Sequence, residues 1–156
     1  MLDAQDHDVD RNEVRDILHE LLQTEKLAVL ATNREGQPYC NLVAFAVTGD
    51  LRYVVFATPK ASQKYENMVR DGRVSMLVDN ATGQDTDFQK AIAATVVGHA
   101  EDMQERDGDY LLELYLQKHP KLSKFVHSPD SALMRVSVDV YIVVRNFQEV
   151  TEIRPS

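Results

Sequence analysis

Leu51-Arg52-Tyr53-Val54-Val55-Phe56-Ala57-Thr58-Pro59-Lys60-Ala61-Ser62-Gln63-Lys64 carries the decisive change of pattern in this chain. A β-branched and aromatic run stops in a turn rich in hydroxyls and lysine, and a helical spacing follows. The run predicts a strand over Leu51–Ala57, and Ser62 predicts the cap of a short helix over residues 62–70. Delivering Thr58, Ser62 and Lys64 to a helix start suits a phosphate group. Hydroxyls and free amides donate hydrogen bonds, the helix dipole favours negative charge, and lysine adds a point charge. The plainer reading of the same residues is an ordinary capped strand–turn–helix.

The segments on either side place this turn in a sheet. Leu27–Thr32 reads as a buried strand, Asn33-Arg34-Glu35-Gly36-Gln37 as a hairpin turn, and Tyr39–Val47 as the next strand. Thr48-Gly49-Asp50 then turns the chain into Leu51–Ala57, which makes an antiparallel meander. Beyond the short helix, Asp71-Gly72 is a stop signal, Arg73–Val78 a fourth strand and Asp79–Asp87 an irregular polar loop. Ile92–Glu101 and Leu133–Val144 supply two more strands. A helix before the first strand should start at the capping box Asp10-Arg11-Asn12-Glu13, with residues 1–9 a flexible arm and Val14, Ile17, Leu18, Leu21 and Leu22 as its apolar stripe. A second box, Asp102 and Glu105, opens a helix that turns Tyr110, Leu111, Leu114 and Tyr115 to the core and ends at Pro120. The expected fold is mainly β: a six-stranded antiparallel split barrel over residues 10–150 with helices at its edges, since closure removes exposed strand edges.

Composition narrows the chemistry. With 156 residues, 44% apolar and 27% charged, the chain is one ordinary globular domain able to bury its own core. A net charge of −8 disfavours nucleic acid and anionic membranes as partners. No apolar run reaches the roughly 18 residues of a membrane span, and the acidic N-terminus is unlike a secretory leader. The single cysteine, Cys40, rules out an intrachain disulfide, fits a cytoplasmic location, and reads as an inert strand residue. Asp6, Asp8 and Asp10 imitate a calcium loop, but Arg11 stands at the turn glycine and Ile17 at the final glutamate, so no metal is expected. The five histidines lack metal-ligand spacing, and neither a nucleophile elbow nor a dinucleotide-binding glycine pattern occurs.

Two features remain, the turn Thr58–Lys64 and the strand Asn41-Leu42-Val43-Ala44-Phe45. A strand with small and apolar side chains can lie along a flat heterocycle, its amides and carbonyls reaching the polar ring edges. Together the two features suit a flavin mononucleotide.

At these residues the sequence resembles the flavin-binding split-barrel family typified by pyridoxamine 5′-phosphate oxidase. The likeness spans about residues 14–147. It runs through Leu27–Thr32, Gly36-Gln37-Pro38-Tyr39, Phe56-Ala57-Thr58, Ser62-Gln63-Lys64, Asn67, Asp71-Gly72-Arg73-Val74-Ser75-Met76-Leu77 and Val97-Gly98-His99-Ala100-Glu101. Each piece is short, and their order and spacing carry the specificity. The resemblance implies a homodimer with FMN at the subunit interface and a small-molecule substrate or electron donor. It assigns cofactor contacts to Asn41, Leu42, Val43, Ala44, Ala57 and Thr58, and the phosphate to Ser62, Gln63 and Lys64. Gln63 stands where the oxidase has an arginine, and Asn41 or Leu42 replaces a basic residue, leaving Lys60 or Arg73 to compensate. Ala93 takes the place of a flavin-contacting glutamine. The C-terminus, Asn146 to Ser156, lacks the oxidase's arginine–histidine pair and closing tryptophan, so the implied substrate is not vitamin B6. Three alternatives stay open: a non-catalytic flavin or haem carrier or redox sensor with His99 or His119 as haem ligand, a deazaflavin pocket, and a ligand-free barrel that dimerises through the same face.

Overall fold

The computed structural model describes residues 4–104 and 110–156, with side chains from Asp10 onward. Helix α1 (Ala4–Thr24) leads into β1 (Leu27–Arg34), β2 (Gln37–Val47) and β3 (Tyr53–Pro59). Helix α2 (Gln63–Arg70) precedes β4 (Arg73–Asp79), and a single turn, α3 (Asp87–Lys90), precedes β5 (Ala93–Asp102). Helix α4 (Tyr110–Lys118), a 3₁₀ turn at Pro120–Leu122 and α5 (Ser123–His127) lead to β6 (Ser131–Arg145) and β7 (Glu149–Ile153). The sheet order is β3-β2-β1-β4-β5-β6-β7, and β3 also pairs with β6. That last pairing closes six antiparallel strands into the expected barrel.

The interior is filled from alternating positions. Leu30, Phe45, Phe56, Met76, Met134 and Tyr141 are all less than 2% exposed. Helices cover what the barrel leaves open: α1 packs on β2, β4 and β7, α2 on β1 and β5, α4 on β2 and β3, and α5 on β6. Such double coverage explains why Val54 to Ala57 are buried without alternation. Glu35 (φ 50°) and Gly36 (φ 89°) form the two-residue turn between β1 and β2. Both residues are left-handed, as a primed hairpin turn requires.

Several boundaries differ from expectation. Helix α1 begins at Ala4, so Asp10 lies inside it; Asp10 and Glu13 pair with Arg145 at 2.6 and 3.6 Å instead of forming a cap. Leu51 belongs to the turn and not to β3: its φ is 65°, its amide donates to the Thr48 carbonyl, and its own carbonyl accepts from the buried Tyr141 hydroxyl at 2.7 Å. Tyr110 is 60% exposed, whereas Leu111, Leu112 and Tyr115 face the core. Gly72 is not a left-handed cap. A side chain there would sit 2.9 Å from the Ala100 carbonyl oxygen, and the Ala100 amide donates to the Gly72 carbonyl at 2.7 Å. In the polar loop, Thr82 and Gly83 donate to the Asp87 carboxylate, which organises the α3 turn. Strand β7 was not expected; it adds outside the barrel along β6. The capping role of Glu105 and the side chains of Asp6 and Asp8 lie outside the described residues.

Candidate functional site

Where β2 and β3 part company, the backbone opens. Their ladder holds only Phe45↔Phe56, Ala46↔Val55 and Val47↔Val54, although β2 continues back to Gln37. On its other side β2 is paired with β1 throughout, from Leu27↔Ala44 to Arg34↔Gln37. Hydrogen-bonded and non-bonded pairs alternate along an antiparallel ladder, and the pair closing a two-residue turn is bonded. The bonded pairs on the β1 side therefore fall at odd-numbered β2 residues, in keeping with the Phe45 amide reaching the Lys26 carbonyl at 3.3 Å. Cys40, Leu42 and Ala44 then turn their amides and carbonyls to the edge that β3 has left. Of the four β2 residues expected at the cofactor, Leu42 presents its free amide and carbonyl and Ala44 its amide, the Ala44 carbonyl accepting from the Tyr115 hydroxyl at 3.2 Å, while the backbone groups of Asn41 and Val43 are committed to β1. Leu42 is 65% exposed and Val43 only 5%. The buried Asn41 Oδ1 has no hydrogen-bond partner.

The β3–α2 junction lies beside this edge. Ala57 and Thr58 are buried, and Thr58 Oγ1 lies 3.0 Å from Ser62 Oγ. Ser62 Oγ donates to the Pro59 carbonyl at 2.7 Å and accepts from the Tyr65 amide at 3.3 Å. Both hydroxyls are thus engaged in shaping the turn. What the turn presents to an anion is the first-turn amides of Gln63 and Lys64, which precede the first intrahelical bond, and the Lys64 ammonium. Among the described residues, Lys64 has no ion-pair partner.

The turn is anchored from below. Gln63 Nε2 donates to Asn67 Oδ1 at 2.8 Å, and the 2%-exposed Asn67 donates from Nδ2 to Thr32 Oγ1 at 3.0 Å. This relay ties the start of α2 to the barrel interior through β1. Of the two cations expected to compensate for Gln63, Arg73 is engaged elsewhere, with its Nε 3.0 Å and its terminal nitrogen 2.7 Å from the Asp71 carboxylate. Arg73 and Asn33 together hold the Asp71 carboxyl well below the usual carboxylate range. Lys60 is exposed, its amide on the Asp130 carbonyl. The cation beside Gln63 is Arg34, whose guanidinium donates to Gln63 Oε1 at 3.4 Å. Arg34 was missed because it stands 29 residues away, at the far side of a hairpin. A cavity of about 380 Å³ lies here, lined by Asn33, Arg34, Gln63, Asn67, Arg70 and Asp71 among others. A second, of about 310 Å³, lies on the outer barrel face beside Arg73, Gly98, His99 and Asp139.

The two candidate haem ligands differ in access. His119 is 8% exposed and its Nε2 lies 2.7 Å from the Phe45 carbonyl oxygen, with burial lowering the ring's basicity. His99 is exposed, 3.9 Å from Asp139. Away from His99, the outer face carries an apolar row. Leu42, Val29, Leu77, Thr95 and Ile142 form one cross-strand row over five strands, and Leu27 beside it is 54% exposed.

A family model described as pyridoxamine 5′-phosphate oxidase matches residues 14–145. No curated protein matches the chain in sequence. Among solved structures, a haem-binding protein from Mycobacterium smegmatis superposes with a TM-score of 0.76 at 16% identity, over 86% of this chain and 55% of that one. A protein of unknown function from Agrobacterium tumefaciens gives 0.74 at 22% identity, over 86% and 57%. A FAD-binding protein from Mesorhizobium loti gives 0.67 at 18% identity, over 83% and 90%. The chain thus spans little more than half the length of the first two. At these identities the likeness is one of fold.

Proposed function

The chain belongs to the pyridoxamine 5′-phosphate oxidase family, and from that premise we propose that it is a homodimeric FMN-binding oxidoreductase whose substrate is not vitamin B6. The observation that carries the reading is the open β2 edge next to a helix start bearing Lys64. One offers backbone donors and acceptors to a flat heterocycle, and the other offers amides and a cation to a phosphate. Asn41 Oδ1, buried without a partner, is a further polar atom that a ligand would satisfy. The residues fit the group. Leu42 and Ala44 would meet the ring edge through their backbone, Lys64 and the Gln63 amide would hold the phosphate, and Arg34 would supply the cation that Gln63 does not. Bound FMN supplies electron transfer, and the protein sets its position and polarity.

The dimer is supported by the apolar row across β2, β1, β4, β5 and β6, whose exposed leucines suit a second copy of the same face. A cytoplasmic setting accords with the lone cysteine, and no helix among the described residues is long and apolar enough to cross a membrane.

The decisive experiment is a titration of the purified protein with FMN, followed by flavin absorbance and fluorescence. Saturable binding is expected, and Lys64→Ala should weaken it by about 1.5–3 kcal/mol while leaving riboflavin binding unchanged. Protein that leaves the FMN spectrum untouched would end the assignment. A haem-binding reading is favoured by one similar fold, described as that of a haem-binding protein. It would rest on His99, because the His119 ring is turned inward, and a Soret shift lost in His99→Ala would select it.

A further inference from the structure

We propose that Tyr115 is a positioning residue: its hydroxyl is wedged into the missing rung between Ala44 and Ala57, holds β2 and β3 apart, and fixes the β2 edge against which the flavin lies. This inference rests on the FMN reading for its ligand, but its geometry does not.

The register makes the wedge explicit. Since Phe45 turns toward β1, the pair Phe45↔Phe56 is non-bonded in the β2–β3 ladder, Ala46↔Val55 is bonded, and Ala44 with Ala57 would be the next bonded pair. That pair does not form. In its place the Tyr115 hydroxyl donates to the Ala44 carbonyl at 3.2 Å, with the Ala57 backbone close enough to act on the same phenol. A phenol can donate once and accept as well, so one hydroxyl can stand in for the Ala57 N–H to Ala44 carbonyl rung. The ring is 1% exposed. Four residues on, just past the end of α4, His119 Nε2 reaches the carbonyl of the next residue, Phe45, at 2.7 Å, with its ring 5.1 Å from that of Tyr115. Two consecutive β2 carbonyls are thus held from α4 and the residue that follows it, at the point where the strands diverge.

Ala44 and Ala57 are both among the residues assigned to the cofactor, and neither side chain can itself set the spacing. Without the hydroxyl, the two backbone groups are complementary and in register to bond directly. The split would then close by one rung, and the Ala44 edge would turn from the ligand.

Tyr115→Phe keeps the ring and removes the wedge. At saturating FMN its bound-flavin absorbance bands should differ from those of the parent, and its affinity should fall roughly tenfold, as for loss of one well-placed buried hydrogen bond. Lys64→Ala, which acts on the phosphate, should match the parent's saturated spectrum. A merely structural tyrosine would lower stability and leave the saturated spectrum unchanged, and that result would overturn the inference. Amide exchange of the ligand-free parent tests the wedge without any variant. The Ala57 amide should be as protected as that of Val55, and the Leu42 and Ala44 amides should exchange fast. Rapid exchange at Ala57 would refute the wedge. If the parent takes up no FMN, the cofactor reading fails, the flavin part of the inference falls with it, and amide exchange alone decides the wedge.

Discussion

The relay from Gln63 through Asn67 to Thr32 can be taken apart one atom at a time. Asn67→Leu keeps the approximate shape but removes the donor to Thr32 Oγ1 and the acceptor for Gln63. Asn67 is 2% exposed and Thr32 3%, so water cannot replace the lost partner. The lost bond costs about 1 kcal/mol, the orphaned Thr32 hydroxyl about 1–3 kcal/mol, and the half-buried Gln63 amide about 0.5 kcal/mol. Burial of the leucine offsets part of this, leaving a net loss of about 2–3 kcal/mol. Thr32→Val alone orphans Asn67 Nδ2 and should cost about 1–3 kcal/mol. The double variant leaves only the half-buried Gln63 amide without its acceptor, since the buried Asn67 and Thr32 both give way to apolar groups, and should fall within about 1 kcal/mol of the parent. Urea unfolding of all four proteins measures the cycle. With a slope near 2 kcal/mol/M, the Asn67→Leu midpoint should drop by roughly 1–1.5 M and recover in the double variant. If the two losses simply add, the pair is not a coupled buried contact, and the account of how α2 is held to the barrel is wrong.

Three further expectations concern other parts of the molecule. At the β5–β6 bulge, where Asp139 is the extra residue on β6, Gly98→Ala would drive a methyl into the Ser137 carbonyl and to 3.0 Å from Val136 Cγ1, so thermal denaturation should register a loss of about 2–3 kcal/mol. Gly49→Ala, with nothing within 4 Å, should stay within about 0.5 kcal/mol as the control. Burial pulls the Lys118 ammonium down to about 8 from 10.5, only partly offset by Glu25, while Nζ donates to the Leu22 carbonyl at 2.8 Å. Between pH 8 and 10.5 the unfolded chain therefore holds a proton that the folded one lacks, and this lysine makes stability rise with pH by about 1–2 kcal/mol, discounted for its partial exposure. Tyr115, pushed up by burial to about 12, and Tyr141, pushed higher, act in the opposite sense above pH 10. Lys118→Met should flatten the rise in urea midpoints measured from pH 8 to 10. Finally, Leu27→Glu places a charge on the apolar outer face at an already exposed position; analytical ultracentrifugation should show half the parent mass with nearly unchanged monomer stability.

Much of the architecture is written in local pattern. Alternating and β-branched runs mark six of the strands, because which face is buried depends only on a period of two. Glu35-Gly36 marks the hairpin, since glycine reaches a positive φ without cost. Ser62 marks the start of α2, since a hydroxyl three residues before a free amide is enough to cap it. The C-terminal strand β7 escaped because Glu149-Val150-Thr151-Glu152-Ile153 is short and charged, and becomes a strand only when β6 offers an edge. The cap expected at Asp10 failed for a related reason: Arg145, distant in sequence, draws Asp10 and Glu13 into ion pairs on the helix surface.

The site divides along the same line. That hydroxyls, a helix start and Lys64 follow a buried strand is a matter of neighbouring residues, and needs no fold to be seen. Which atoms stay free was decided by three-dimensional pairing: Ser62 and Thr58 turned to each other, Arg73 taken by Asp71, Arg34 brought to Gln63, and the Ala44 carbonyl taken by Tyr115. Local sequence determines which backbone conformation each segment prefers, because the forces involved act over a turn or a pleat. Closure of the barrel through β3 and β6, and with it the open edge of β2, depends on contacts between segments some eighty residues apart, whose geometry no local pattern encodes.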